Sequence, residues 1–216
     1  MSKNPEKDAL RKAATKQKII ETGFRVFAER TIDAANLKEV AAAGDMAMST
    51  VYFYYNRKEA LVLDIGAWVW KQYTDANIRP DIEHRTAAED YAFFLESFID
   101  LYRNHRDMLR FNQFFNIYVQ REGIPAERMR PYNNVIDALA ERFHACYEKA
   151  KIDGTLRTDI PEREMFSRTL HLMLAAVTRY AVGLVYDGGV DPESELIFLR
   201  DMMMESARPT NKGALR

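Results

Sequence analysis

Residues 36–61, NLKEVAAAGDMAMSTVYFYYNRKEAL, constrain the rest of the chain more than any other stretch. Asn36 is a strong N-cap, and Glu39 three residues later completes the Asn form of a capping box, so a helix starts here. Leu37, Val40 and Ala41 follow at helical spacing. Gly44-Asp45 then interrupts the pattern with two residues that tolerate left-handed backbone. Met46 to Tyr55 reads as a second short helix, and a long helix begins near Arg57. Two short helices across a tight turn containing Gly form a helix-turn-helix, whose second helix enters the DNA major groove.

The same 26 residues resemble, without a gap, the DNA-binding motif of TetR-type bacterial transcriptional regulators. Asn36 stands where that pattern has Thr, and Val40-Ala41 where it has Ile-Ala. Thr50-Val51-Tyr52 stands for Thr-Leu-Tyr and Tyr54-Tyr55 for Tyr-Phe; Lys58-Glu59 and Leu61 close the match. Two positions depart from the pattern. Gly44-Asp45 replaces Ala-Gly in the turn, which predicts a left-handed Asp45 or a turn shifted by one. Ala47 replaces the Ser that caps the second helix, which costs about 1 kcal/mol. The resemblance implies phosphate contacts from Tyr52 and Lys58, and Lys38 on the first helix is a further candidate. Base reading falls to Met48, Ser49, Thr50 and Phe53, although the position of Phe53 fits the core of the head as well as the DNA face. That set lacks the Arg, Asn and Gln of bidentate base contacts, so apolar contact and DNA shape carry much of the readout. Met46, Val51, Tyr54 and Tyr55 are expected in the core of the head.

Charge is divided in a way that fits one end touching phosphate. Residues 1–60 hold 11 Lys+Arg against 8 Asp+Glu, whereas the remaining 156 hold 20 against 24. A mildly basic head on an acidic body follows. Cys146 is the chain's one cysteine, so no internal disulfide or Cys-based metal cluster forms, and it is expected in the core. The polar N-terminus is not a signal peptide. Leu170 to Tyr186, the most apolar stretch, is interrupted by Arg179 and is too mixed to span a bilayer. A cytoplasmic protein with no membrane association is expected.

Period-three-to-four patterning covers the chain and no stretch alternates convincingly, which predicts an all-α fold. Residues 1–7 read as disordered, followed by a helix from about Asp8 to Arg30 whose first turns carry Arg11, Lys12, Lys16 and Lys18. After the motif, a helix continues to about Ile78 and ends at Arg79-Pro80. Thr86, boxed by Glu89, caps a helix to about Asn104. Others run to about Arg121, from Ala126 to Lys151 with a bend near Pro131, from Pro161 to about Tyr186, and from Pro192 to about Ala207. Asp187-Gly188-Gly189 is the expected stop of the penultimate helix. The expected organisation is a three-helix DNA-binding head, 1–56, a ligand-binding and dimerisation body, 57–208, and a flexible tail, 209–216.

The body is rich in aromatic residues at helical spacing, most of them core. Apolar clefts with a few polar groups are also where small ligands bind, and the resemblance implies an inducer pocket in the body. Trp68, Phe94, Phe98, Phe111 and Phe115 are candidate ligand contacts, with Asn112, Asn116 and His171 to orient the ligand. The effector expected is apolar or aromatic. The penultimate helix is apolar nearly all round, with Leu170, Met173, Leu174, Val177, Ala181 and Leu184 on one side and Leu172, Ala175, Ala176, Val182 and Val185 on the other, and Leu196, Ile197, Leu199 and Met202 to Met204 give the last helix a similar stripe. That pattern predicts burial on more than one side, either within one chain or in a four-helix bundle between two, and the resemblance implies the homodimer. The resemblance thus implies a ligand-released repressor that binds a palindromic operator as a homodimer. The alternative is a helical ligand-binding or scaffolding protein with a degenerate head.

No cofactor and no enzymatic activity are expected. HExxH, a phosphate-cradling Gly loop and a nucleophile elbow are absent from the sequence. Glu141 and His144 have the Glu-x-x-His spacing of di-iron bundles, but a second pair and the further carboxylates are missing.

Overall fold

The computed structural model describes residues 5–77, 85–186 and 188–210. Among them the chain is helical, with no strand. The order is α1 (Pro5–Arg30), α2 (Leu37–Ala43), α3 (Met48–Tyr54), α4 (Lys58–Asn77), α5 (Ala87–Asn104), α6 (Arg106–Glu122), a 3-10 turn (Ala126–Met129), α7 (Arg130–Asp153), α8 (Glu162–Ala181) and α9 (Pro192–Ser206). No helix among the described residues is long and apolar enough to cross a membrane.

Local chemistry sets most helix ends. Asn36 accepts hydrogen bonds from the Lys38 and Glu39 amides, and Glu39 accepts from the Asn36 amide, closing the expected box. Thr86 and Glu89 do the same for α5. The next amides of α5 are also satisfied: Ala87 donates to Asp153 Oδ2 at 2.7 Å and Ala88 to the Thr155 hydroxyl at 3.0 Å. A turn at the end of α7 thus completes the cap of a helix far away in sequence.

Several boundaries differ from the sequence reading, and α3 begins at Met48 rather than Met46. Helix α1 already includes residues 5–7, because Pro5 suits a first helical position and Glu6 and Asp8 complement the helix dipole. Residues 126–129 form a 3-10 turn rather than the start of α7. Pro131, with no N–H to give, sits in the first turn of α7 instead of bending it. Helix α8 stops at Ala181, not near Tyr186. Gly183 takes φ +82, and the Gly183 and Leu184 amides return to Tyr180 and Arg179 in a Schellman closure. The expected continuation of α4 to Ile78 and its stop at Arg79-Pro80 lie outside the described residues, as do Asp187, residues 1–4 and residues 211–216 of the tail.

Two compact units organise the chain. One combines Met1–Tyr73 with Arg110–Val135; the other combines Thr74–Leu109 with Ile136–Arg216. In the first, Ile19, Phe27, Val40, Val51, Leu61 and Ile65 are fully buried. Gly66 allows α4 to approach the first unit's part of α6. A Cβ there would sit 2.6 Å from the Phe115 ring. In the second unit α5 packs on α8 and α9. Phe94, Phe143 and Phe166 cluster at 5.4–6.4 Å between ring centroids. Tyr91 and Thr169 exchange a buried 2.9 Å hydrogen bond.

Two substitutions test this packing by urea denaturation. Gly66→Ala should destabilise by about 1–3 kcal/mol, the usual cost of overpacking a closed core. Asn36→Ala removes the acceptor that caps α2 and should cost about 1 kcal/mol.

Candidate nucleic-acid interface

The turn between α2 and α3 takes the first of the two expected forms. Gly44 has φ −94 while Asp45 adopts φ +48, the left-handed region. A Cβ at Gly44 would meet the flexible end of the Met46 side chain and the Thr22 side chain at 3.2 Å. Ala47 begins α3 without any side-chain cap. The helix is held from its far end. Tyr55 is buried and its hydroxyl donates to Asp64 Oδ2 at 2.9 Å. Asp64 also pairs with Lys16 at 2.7 Å. Desolvation, aided by Asp64, pushes the Tyr55 phenol well above its ordinary range, so it stays a donor.

With Val51 and Tyr55 buried, α3 turns Ser49, Tyr52 and Phe53 outward at i, i+3 and i+4. Phe53 is 74% exposed and Tyr52 47%, unusual for rings in a well-packed head. Phe53 is therefore surface, not core, and meets the Tyr54 ring edge-on at 5.2 Å. Met48 and Thr50 are half-buried, as are Met46 and Tyr54. Lys38 is exposed on α2.

Lys58 stands differently from a free surface cation. It is half-buried, and its Nζ donates to the backbone carbonyls of Ile32 at 2.8 Å and Ala35 at 3.1 Å. It also lies 5.7 Å from the Tyr118 ring centroid. Two of its three N–H donors are thus engaged, tying the first turn of α4 to the connection between α1 and α2. Arg121 of α6 also pairs with Asp33 in that connection at 2.5 Å, and Arg128 of the 3-10 turn pairs with Glu59 in the first turn of α4.

The eight predicted ligand contacts fall in both units and do not share one role. In the first unit Trp68 and Phe111 pack on Phe24 at 6.0 and 5.7 Å. Phe115 is buried against Gly66, and Asn116 is exposed. Asn112 is buried with its Oδ1 already accepting from Trp70 Nε1 at 3.0 Å and from the Tyr132 hydroxyl at 3.2 Å. In the second unit Phe98 is core beside Phe94, and His171 is exposed beside Ser167. Phe94 borders a cleft between α5 and α7 whose polar wall, with Arg85, Arg142 and Lys149, sequence reading did not single out. The only signal was the spacing of Arg142, Cys146 and Lys149 on one face of α7. On α7 and α8, His144, Glu148 and Glu162 bring potential ligand atoms within 4.8 Å. Glu141 is not among them. His144 is held by Glu162 at 3.0 Å, which raises its pKa, and Glu148 is paired with Lys151.

Residues 19–65 match the family of bacterial regulatory proteins named for tetR. The head is a TetR-family DNA-binding domain. Over its length the chain also takes the fold of these regulators. It resembles a tetR-family regulatory protein from Rhodococcus RHA1 at 16% identity and TM-score 0.69, covering 90% of this chain and 97% of that one. A protein from Saccharomonospora viridis, solved in complex with choline, matches at 17% identity and TM-score 0.74, covering 91% and 98%. FadR from Bacillus subtilis, solved with stearoyl-CoA, matches at 16% and 0.70, covering 89% and 99%. No curated protein sequence matches the chain. The TetR-type head thus differs from its family's pattern mainly at Asp45 and Ala47, and both departures leave the short helices in place.

Ala47→Ser should supply the missing cap and stabilise the head by about 1 kcal/mol. Lys58→Met should destabilise it by about 1–3 kcal/mol, because two carbonyls lose their donor. Chemical denaturation of the two variants checks both signs.

Proposed function

We propose that the chain is a ligand-responsive transcriptional repressor that binds a palindromic operator as a homodimer. The observation that carries the reading is the outward face of α3, where Ser49, Tyr52 and Phe53 stand exposed on the second helix of a TetR-type helix-turn-helix. Tyr52 and Lys38 donate to phosphates and set the register. Lys58 offers its remaining donor to the same backbone but acts chiefly by fixing the head on α4. Phe53 and Met48 pack on thymine methyls, and Ser49 and Thr50 hydrogen-bond at base edges.

The homodimer forms through α8 and α9. Leu172, Phe198 and Met202 are each at least half exposed on these two helices. An open apolar groove runs between them, bordered by Ala176, Tyr180, Leu196 and Leu199. Exposed apolar surface of this kind is unusual on a monomer. A twofold pairing there gives two heads for half-sites one or more DNA turns apart. Residues 57–208 also hold a small effector with an apolar or aromatic part. The effector acts by preferring a body conformation in which the heads no longer fit the operator. Such a regulator works in the cytoplasm and catalyses no reaction.

Selection of bound duplexes from a random pool should yield one palindromic consensus with steeply salt-dependent affinity; a scattered pool would overturn the proposal. Against the consensus, Tyr52→Phe should weaken binding by about tenfold or more, the cost of one hydrogen bond to a charged group. Lys38→Ala should lower the salt slope by about one.

A further inference from the structure

Outside the DNA-binding face, the second unit contains a cleft of about 130 Å³ between α5 and α7. Its floor is apolar: Phe94, Phe143 and Cys146 are all buried. Burial pushes the Cys146 thiol up to about 12, and the thiol donates to the Ala87 carbonyl, so the floor carries no negative charge at neutral pH. The rim carries Arg85, Arg142 and Lys149 together with Asp90.

Asp90 is largely committed to Lys149, whose ammonium lies 2.5 Å from Oδ2. Arg85 Nε lies 3.4 Å from Asp90 Oδ1 but makes no hydrogen bond with it. Among the described residues, that Nε is the buried side-chain polar atom without a hydrogen-bond partner. Such an atom is costly and rare in folded proteins. The guanidinium is otherwise held in place, its Cζ 5.0 Å from the Phe93 centroid, with Arg142 5.3 Å from the same ring. Arginine side chains on the rim of an apolar cleft suit a carboxylate attached to something apolar.

Volume limits the apolar part. A cavity of about 150 Å³ holds one benzene, so an open cleft of about 130 Å³ is on the scale of one ring or a short chain. We propose that this cleft binds a small monocarboxylate bearing one aromatic ring or a short alkyl group. Its carboxylate lies on Arg85 and Arg142 and its apolar part on Phe94, Phe143 and Cys146. As the effector site of the regulator this rests on the repressor reading above; as a binding site it stands by itself.

Calorimetric titration of the full chain with benzoate, phenylacetate and hexanoate, each beside its neutral amide, tests the site, with inorganic phosphate as a further arm. At least one acid should bind saturably, once per chain, and at least tenfold tighter than its amide, while phosphate should bind more weakly than that acid. Arg85→Met should weaken the acid at least tenfold. Ala145→Trp, which fills the mouth from an exposed position, should abolish binding, with thermal melts establishing that both variants fold. Equal affinity for acid and amide, phosphate binding as tight as any acid, an unaffected Arg85→Met, or no saturable acid binding by the folded protein would each overturn the site. Operator binding is measured separately. Arg85-dependent acid binding that leaves operator affinity unchanged supports the site and removes only its effector role. The same acid binding in a protein that selects no DNA supports the site and removes the repressor reading.

Discussion

The ammonium of Lys58 reaching the carbonyls of Ile32 and Ala35 is the contact on which the geometry of the head depends. Those carbonyls belong to the connection between α1 and α2, where no helical partner satisfies them. By supplying donors from the first turn of α4, Lys58 joins the long helix to the helix-turn-helix. Tyr55 and Lys16, both on Asp64, make a second joint two turns further along α4. A head attached at two points along one helix has little freedom to rotate on it. Ser49, Tyr52 and Phe53 therefore project in a direction set by α4, and motion of α4 reaches them directly.

What could be read in the sequence was what depends on near neighbours. The Asn36–Glu39 and Thr86–Glu89 boxes, the left-handed Asp45 and the uncapped Ala47 all involve residues within a turn of one another, and they position the short helices as expected. The early stop of α8 at Gly183 was equally local, but a long apolar run masked it. Contacts between distant residues were not legible. Lys58 looks like a surface cation until Ile32, 26 residues away, is found beneath it. Asn112 looks like a ligand contact until Trp70, 42 residues away, is seen to donate to it. Helical spacing identifies a face of a helix but not what covers that face.

The same reasoning explains why the aromatic-rich body misleads. Rings at i, i+3 and i+4 are what core packing requires, so most of the predicted pocket residues are core or already partnered. The α5–α7 cleft has instead an unsatisfied cationic donor next to a neutral apolar floor, a combination that packing alone does not call for. The head shows a parallel imbalance in Phe53, a large ring left in water on a short helix. At both places the folded chain leaves a group without the partner its chemistry favours.

Hydroxyl-radical footprinting, read residue by residue with and without a selected duplex, tests the orientation of α3 most directly. Free protein should be oxidised at Tyr52 and Phe53 and spared at Tyr55, and saturating duplex should protect Tyr52 and Phe53 severalfold. Strong labelling of Tyr55 in the free protein, or undiminished labelling of Tyr52 and Phe53 in the complex, would contradict a DNA-reading face held outward by α4.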